Sequence, residues 1–186
     1  MRRNATRITA SAERMTRLIR DLLDLARARS GGLMPLQPRP GRLEDVVRAA
    51  VAELEVAHPR RVISLDIEGD CDGDWDADRL EQVVGNLVSN ALTHGDPEHA
   101  VHVLLRADEA RVELSVGNHG RPIPPEQLPR LFEPFARGAA TGAPSGLGLG
   151  LFIVREIVAA HGGRVSARSS EAEGTVFTAV LPRHRP

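Results

Sequence analysis

GLGLGLFIV, residues 146–154, is the stretch on which the reading of this chain turns: three glycines at alternate positions run straight into an apolar segment with helical spacing. Lacking Cβ atoms, Gly146, Gly148 and Gly150 let the backbone approach an anion closely and take positive φ. The helix that follows offers unpaired N–H groups at the positive end of its dipole. The pattern reads as a phosphate cradle. Alternating glycines also serve close helix packing and hinges, so the decision rests on what stands upstream.

A chain of 186 residues is long enough for one well-buried domain and an appendage. Its 24 basic and 25 acidic residues leave a formal charge of −1, so no general attraction to nucleic acid or anionic lipid is expected. Cys71 is the only cysteine; it has no disulfide partner and no metal-ligand spacing, and it reads as a small apolar filler in a reducing, cytoplasmic compartment. No apolar run approaches the roughly 20 residues that span a bilayer, and the N-terminus lacks the apolar core of a signal peptide. The expectation is a chain with no nucleic-acid partner and no membrane contact of its own.

Over residues 6–29 a 3-4 spacing of Ile8, Ala12, Met15, Ile19, Leu22 and Ala26, flanked by Leu18, Leu23 and Leu25, predicts a long amphipathic helix whose seam needs a partner. SGGLMPLQPRPG then stops it. Gly31 and Gly32 permit a left-handed cap and Pro35, Pro38 and Pro40 exclude helix, which divides the chain into a helical segment 1–30, a linker 31–41 with a short extended stretch, and a mixed α and β domain 42–186. In that domain the spacing predicts a helix over 43–57, a strand over 61–67, a second strand ending near Trp75, and a helix to Leu92. Asp76 or Asp78 caps this last helix, Asp78 in a capping box with Glu81. Strands 101–106 and 111–116 form a hairpin around Asp108 and Glu109, and residues 120–145 form a long Pro- and Gly-rich loop. A helix over 147–160 ends at Gly162 and Gly163, and strands 164–169 and 175–181 close the chain as a second hairpin.

Three segments carry candidate chemistry besides the glycines. In NLVSNALTHG, Asn86 and Asn90 stand one helical turn apart, so both carboxamides leave the same face. An amide oxygen suits Mg2+ shared with phosphate; the same pair serves equally for local bonds to backbone. In VGNHGRPIPPE, Asn118 ends a strand and Gly120 lets the chain turn beneath a flat ring; an Asn oxygen there can accept from an exocyclic amine, or simply form a turn. LFEPFARG places Phe132 and Phe135 in a chain that is only 3% aromatic, candidates to anchor a moving lid from which Arg137 reaches a terminal phosphate.

Taken in order, NLVSNALTHG, NHGRPIP, LFEPF, GLGLGL and a closing hairpin with GTVFTAVLP resemble the N box, first glycine box, F box and second glycine box of the catalytic ATP-binding domain of sensor histidine kinases. The wider superfamily includes gyrase, the mismatch-repair ATPases and the heat-shock chaperone ATPases. The resemblance covers roughly residues 41–182, and RLIRDLLDLARARSGG is similar to the second helix of the family's dimerisation domain. It implies the Bergerat fold: an α+β, two-layer α/β sandwich with a mixed sheet of about five strands and three helices on one face, preceded here by one long helix. It implies ATP and Mg2+ as ligands, with Asn90 on the metal and Asn86 near the phosphates. Asn118, Gly120, Pro122, Ile123 and Thr175 would lie around the base, and Thr93, His94, Phe132 and Arg137 along the site. Gly146, Leu147, Gly148, Leu149, Gly150 and Leu151 would form the cradle. Asn86, Asn90 and Arg137 would carry the catalytic roles. A homodimer through the N-terminal helix, a response regulator as partner, and a cytoplasmic location, as a free protein or as the cytoplasmic part of a membrane-anchored sensor, follow from the same resemblance.

The chain departs from the family pattern at named positions. Asn118 stands where the family usually has Asp; the amide still accepts one hydrogen bond from the base, and the lost charge-assisted component weakens binding by about 1 kcal/mol. Pro122 replaces a glycine, and Thr93 stands where Lys or Arg is common. No histidine precedes His58, which reads as surface, so the expectation is a chain that binds ATP and does not phosphorylate itself. The family's hydrolases place a Glu four residues before the metal-site Asn, whereas here Gln82 precedes Asn86 and Asn86 precedes Asn90 at that interval, and Glu81, adjacent to Gln82, points about 100° away from it. The reading is therefore transfer of the γ-phosphoryl group to histidine on a dimerisation helix. The alternatives are a non-catalytic nucleotide-binding scaffold or a Ser/Thr kinase of the anti-sigma type.

Overall fold

Alternation sets Val101, Val103 and Leu105 of one strand beside Val112, Leu114 and Val116 of the next, all buried, and these two strands form the middle of the structure. The computed structural model describes residues 2–29, 34–136 and 147–184. Among them the elements run α1 (Arg2–Arg29), β1 (Arg39–Arg42), α2 (Leu43–Ala57), β2 (Ile63–Glu68), β3 (Asp72–Trp75), α3 (Ala77–His94), β4 (Val101–Ala107), β5 (Arg111–Asn118), α4 (Gly150–Ala160), β6 (Arg164–Ser170) and β7 (Gly174–Pro182). A single 3-10 turn, Leu128–Arg130, lies between β5 and α4.

Five strands form one sheet in the order β2-β4-β5-β7-β6, with β2 parallel to β4 and every other pair antiparallel. Register aligns side chains in rows across β5, β7 and β6: Leu114–Ala179–Val165, then Val116–Phe177–Ala167, then Asn118–Thr175–Ser169. Two apolar rows thus give way to a polar one at the sheet's end. Helices α2, α3 and α4 cover the apolar face through Val47 and Val51, through Val83, Val84, Leu87 and Val88, and through Ile153, Val154 and Ile157. Each such large side chain withdrawn from water contributes about 1.5–3 kcal/mol. The α+β sandwich with three helices on one face is therefore what the chain adopts.

The structure decides between the two caps open for α3. Asp76, not Asp78, caps α3: its backbone is extended and its carboxylate accepts from the Arg79 N–H at 3.2 Å. Asp78 lies inside the first turn, so the capping box with Glu81 does not form. The physical reason is tertiary, because the other Asp76 oxygen also accepts from the Gln37 N–H at 2.8 Å, and the Asp76 N–H donates to His161 Nε2 at 3.3 Å. The last helix begins at Gly150 rather than residue 147.

The extended stretch expected in the linker is β1, which pairs antiparallel with β3 from Arg39 opposite Trp75 to Arg42 opposite Asp72. Pro40 is tolerated because this two-stranded pair leaves its N–H side unpaired. The expected cap at Gly31 and Gly32 lies outside the described residues. Cys71 is buried as expected; burial pushes its thiol pKa up, and its carbonyl accepts from the Leu43 N–H and from the Trp75 indole. His58 is exposed at the end of α2.

Helix α1 folds back on the sandwich. Leu25 and Asp24 are buried, and Arg79 of α3 donates to the Asp24 carboxylate at 2.8 Å and to Gln82 Oε1 at 3.0 Å. Met15, Ile19, Leu22 and Leu23 remain exposed.

Candidate functional site

The C-terminal half of α3 is the spine of the candidate site. Leu87, Val88 and Ala91 point into the core, so a 3.6-residue turn leaves Asn86 and Asn90 half-buried at its edge. Asn86 Nδ2 donates to the Gly150 carbonyl at 3.3 Å, which fixes α3 against the first residue of α4. The Asn90 carboxamide makes no hydrogen bond to a described residue. Among the described residues no side chain caps the N-terminus of α4 and no acidic residue occupies its first turn, so no described group takes its leading N–H groups from an anion.

Ahead of α4, Gly148 has φ +71°, and a Cβ there would lie 2.8 Å from the Ala136 carbonyl oxygen and 3.2 Å from the Phe135 Cα. Only glycine fits. Phe135, itself at φ 63°, donates its N–H to the Gly148 carbonyl at 2.9 Å. The two phenylalanines therefore anchor this region differently: Phe132 stacks edge-on against Phe177 with centroids 6.3 Å apart, whereas the Phe135 ring is half-exposed and only its backbone is held. Leu149 is buried, with Leu147 and Leu151 half-buried on either side. Arg137 and Gly146 lie outside the described residues.

Eight residues along from Asn86, about 12 Å at 1.5 Å per residue, α3 meets the turn that follows β5. Gly95 and Gly120 form a bridge, and a Cβ on Gly120 would lie 2.7 Å from the His94 carbonyl oxygen. His94 contributes this carbonyl while its side chain is exposed. Thr93 turns its hydroxyl back to the Ser89 carbonyl at 2.7 Å, so it is occupied by its own helix. Asn118 is 6% exposed, and its Nδ2 donates to the His119 carbonyl at 3.3 Å, the same oxygen that accepts from the Asp96 N–H at 2.6 Å. The Glu98 N–H, followed by His99, holds the Asp96 carboxyl below its ordinary range. Pro122 is half-buried, and the Ile123 N–H donates to Ser169 Oγ at 2.9 Å; Ser169 in turn hydrogen-bonds Thr175 at 2.7 Å.

The structure thus brings Asn86, Gly148 and Gly150 together at one end and Asn118, Gly120, Ile123 and Thr175 at the other, with Asn90 between them on α3. Three participants escape sequence reading. Ser169 looks like one more polar residue of an alternating strand. Gly95 passes for a helix terminator. Arg61 donates to the Leu92 and Asp96 carbonyls at 3.2 and 3.3 Å, closing the end of α3, while its Nε is buried without a partner among the described residues. Nothing local links it to a helix end more than thirty positions away.

Among the described residues no cluster of His, Cys, Asp or Glu can hold a metal. The available donors are neutral carboxamides, which suit a hard cation that keeps its waters and shares phosphate oxygens, so Mg2+ delivered with a nucleotide fits this donor set. A helix N-terminus uncapped by any described side chain, behind a positive-φ glycine and flanked by paired carboxamides and a polar sheet end, gives this α/β sandwich one open end that a phosphorylated ligand fits. Residues 75–185 match the family described as histidine kinase-, DNA gyrase B-, and HSP90-like ATPase, and the chain belongs to that family.

Its relatives put it on the histidine kinase branch. It is 40% identical over 160 residues to a bacteriophytochrome of Pseudomonas aeruginosa, covering 85% of this chain and 22% of that protein. It is 37% identical over 172 residues to the sensor histidine kinase CusS of Escherichia coli O157:H7, covering 91% of this chain and 35% of the relative. The crystal structure of full-length ShkA in complex with AMPPNP superposes with a TM-score of 0.78 at 28% identity, over 97% of this chain and 38% of that one. The chain spans between about a fifth and two fifths of the length of these proteins.

Proposed function

We propose that the chain binds ATP with Mg2+ and transfers the γ-phosphoryl group to a histidine on a dimerisation helix, for onward passage to an aspartate of a response regulator. The observation that carries this is the junction of α3 with α4, where Asn86 abuts Gly150 beneath an uncapped helix N-terminus and Gly148 is pinned at positive φ. Gly148, Gly150 and the leading amides of α4 receive the phosphates, joined by Gly146 and Arg137 from the segment between Ala136 and Leu147. Asn118 and Thr175 face the base, with Gly120 and Ile123 beside it. Asn90, assisted by Asn86, would hold Mg2+, which neutralises phosphate charge when bound. A neutral imidazole is already a nucleophile, so as its nitrogen bonds to the γ-phosphorus and the bond to ADP breaks, the residues have only to position and neutralise.

The exposed row Met15, Ile19, Leu22 and Leu23 of α1 supports self-association, the role that the helical segment 1–30 plays beside a catalytic domain 42–186. Mixing the chain and Mg·ATP with a separately made histidine-bearing helix pair tests the reading. Acid-labile, base-stable phosphoprotein is expected. Phosphate release without protein label indicates a hydrolase, and binding with neither indicates a scaffold.

A further inference from the structure

Arg61, just ahead of β2, places both terminal nitrogens on backbone: one donates to the Leu92 carbonyl in the last turn of α3 at 3.2 Å, the other to the Asp96 carbonyl beyond its end at 3.3 Å. Its Nε is buried without a partner among the described residues. That unpaired donor costs stability, which the two carbonyl bonds offset while they set the path by which the chain leaves α3. The path aims one N–H. The Asp96 N–H donates to the His119 carbonyl at 2.6 Å, and Asn118 Nδ2 donates to the same oxygen at 3.3 Å. Of the two ends of a carboxamide only the nitrogen can donate to a carbonyl, so this contact decides which way the Asn118 amide is turned. Gly95 and Gly120, paired by a bridge, close around that nitrogen: a Cβ on Gly95 would lie 3.2 Å from it, and one on Gly120 3.4 Å. Asn118 Oδ1 has no partner among the described residues and is left as the acceptor.

We infer that Arg61 is a positioning residue for the Asn118 carboxamide: by holding Asp96 in place it keeps the His119 carbonyl on Nδ2 and leaves Oδ1 to accept from a ligand. This rests on the reading in which Asn118 faces the base of the nucleotide. Arg61 acts through two backbone groups rather than on the ligand. Without it the end of α3 loosens and the His119 carbonyl loses its 2.6 Å donor. The carboxamide is then free to turn over, which sets its amide nitrogen against the ligand's donor. The Asp96 side chain does not substitute for this hold, because its carboxylate is bound back into its own turn, by the Glu98 N–H at 2.9 Å and the His99 ring at 3.1 Å.

Calorimetry of Mg·ATP binding to the full chain, in a double-mutant cycle between Arg61 and Asn118, tests this. Asn118→Ala is expected to weaken binding about tenfold, the scale of one hydrogen bond to the base, and Arg61→Ala about fivefold. The double variant should bind no more than about twofold more weakly than Asn118→Ala alone, because no carboxamide is left to orient. Arg61→Lys, which can keep one carbonyl bond, should bind within about twofold of the unaltered chain. If Arg61→Ala does not fold, Arg61→Met, which keeps the apolar stem and removes every donor, takes its place in the cycle with the same expectation. Additive losses in the double variant overturn the inference, as does unchanged binding when Arg61 alone is replaced by Ala or Met. Full affinity in Asn118→Ala overturns the placement of the base, and no binding by the unaltered chain overturns the nucleotide site; in either case the inference falls with the reading beneath it.

Discussion

Gly148 concentrates the backbone demands of the site in one residue. Its φ of +71° costs a β-carbon-bearing residue conformational energy, and the 2.8 Å approach to the Ala136 carbonyl leaves that carbon no room. Gly148→Ala should lower unfolding stability by about 1–3 kcal/mol in urea denaturation and weaken nucleotide binding. Gly150→Ala, whose Cβ would meet the Asn86 side chain no closer than 3.4 Å, should cost far less. Glycine alternation in the sequence marks both positions without ranking them; the ranking comes from a loop more than ten residues upstream. Ser169 and Arg61 were illegible for the same reason, since their partners are Ile123 and Thr175 in one case and the end of α3 in the other.

Elements were legible where one face is buried. The seams of α2, α3 and α4 and the alternation of β4, β5 and β7 follow from period alone, and two hairpins follow from their turns. The parallel pairing of β2 with β4 and the β1–β3 ribbon were not, because each joins segments separated by other elements and Pro40 disguises a strand. Docking of α1 adds an ion pair that no local pattern announces: Asp24 is 1% exposed and held by Arg79. Arg79→Ala strands that carboxylate, a change that costs about 3–5 kcal/mol at buried pairs. It should appear as undocking, with amide exchange speeding up in the C-terminal half of α1 while β4 and β5 stay protected. Asp24→Leu combined with Arg79→Met should restore protection.

The whole molecule has nearly balanced charge, yet several carboxylates are held below their ordinary values: Asp108 by the Ala110 N–H and then Arg111, Asp70 by the Asp72 N–H and then Arg183, and Glu68 by Arg106. With the folded pKa below the unfolded one, each contribution is complete above the ordinary carboxylate range and is lost as pH falls through it. Urea midpoints should therefore decline between about pH 5 and pH 3, and Asp108→Asn should flatten that decline. The exposed row on α1 gives a second expectation: Ile19→Glu with Leu22→Glu should yield a monomer in sedimentation, because two exposed apolar side chains of that helix are replaced by charges. One further consequence lies in the single hydrogen bond between Phe135 and Gly148. That bond ties the turn after the 3-10 helix, anchored by Phe132 on Phe177, to the approach to α4, so a load placed on the aromatic anchor is passed directly to the first turn of that helix.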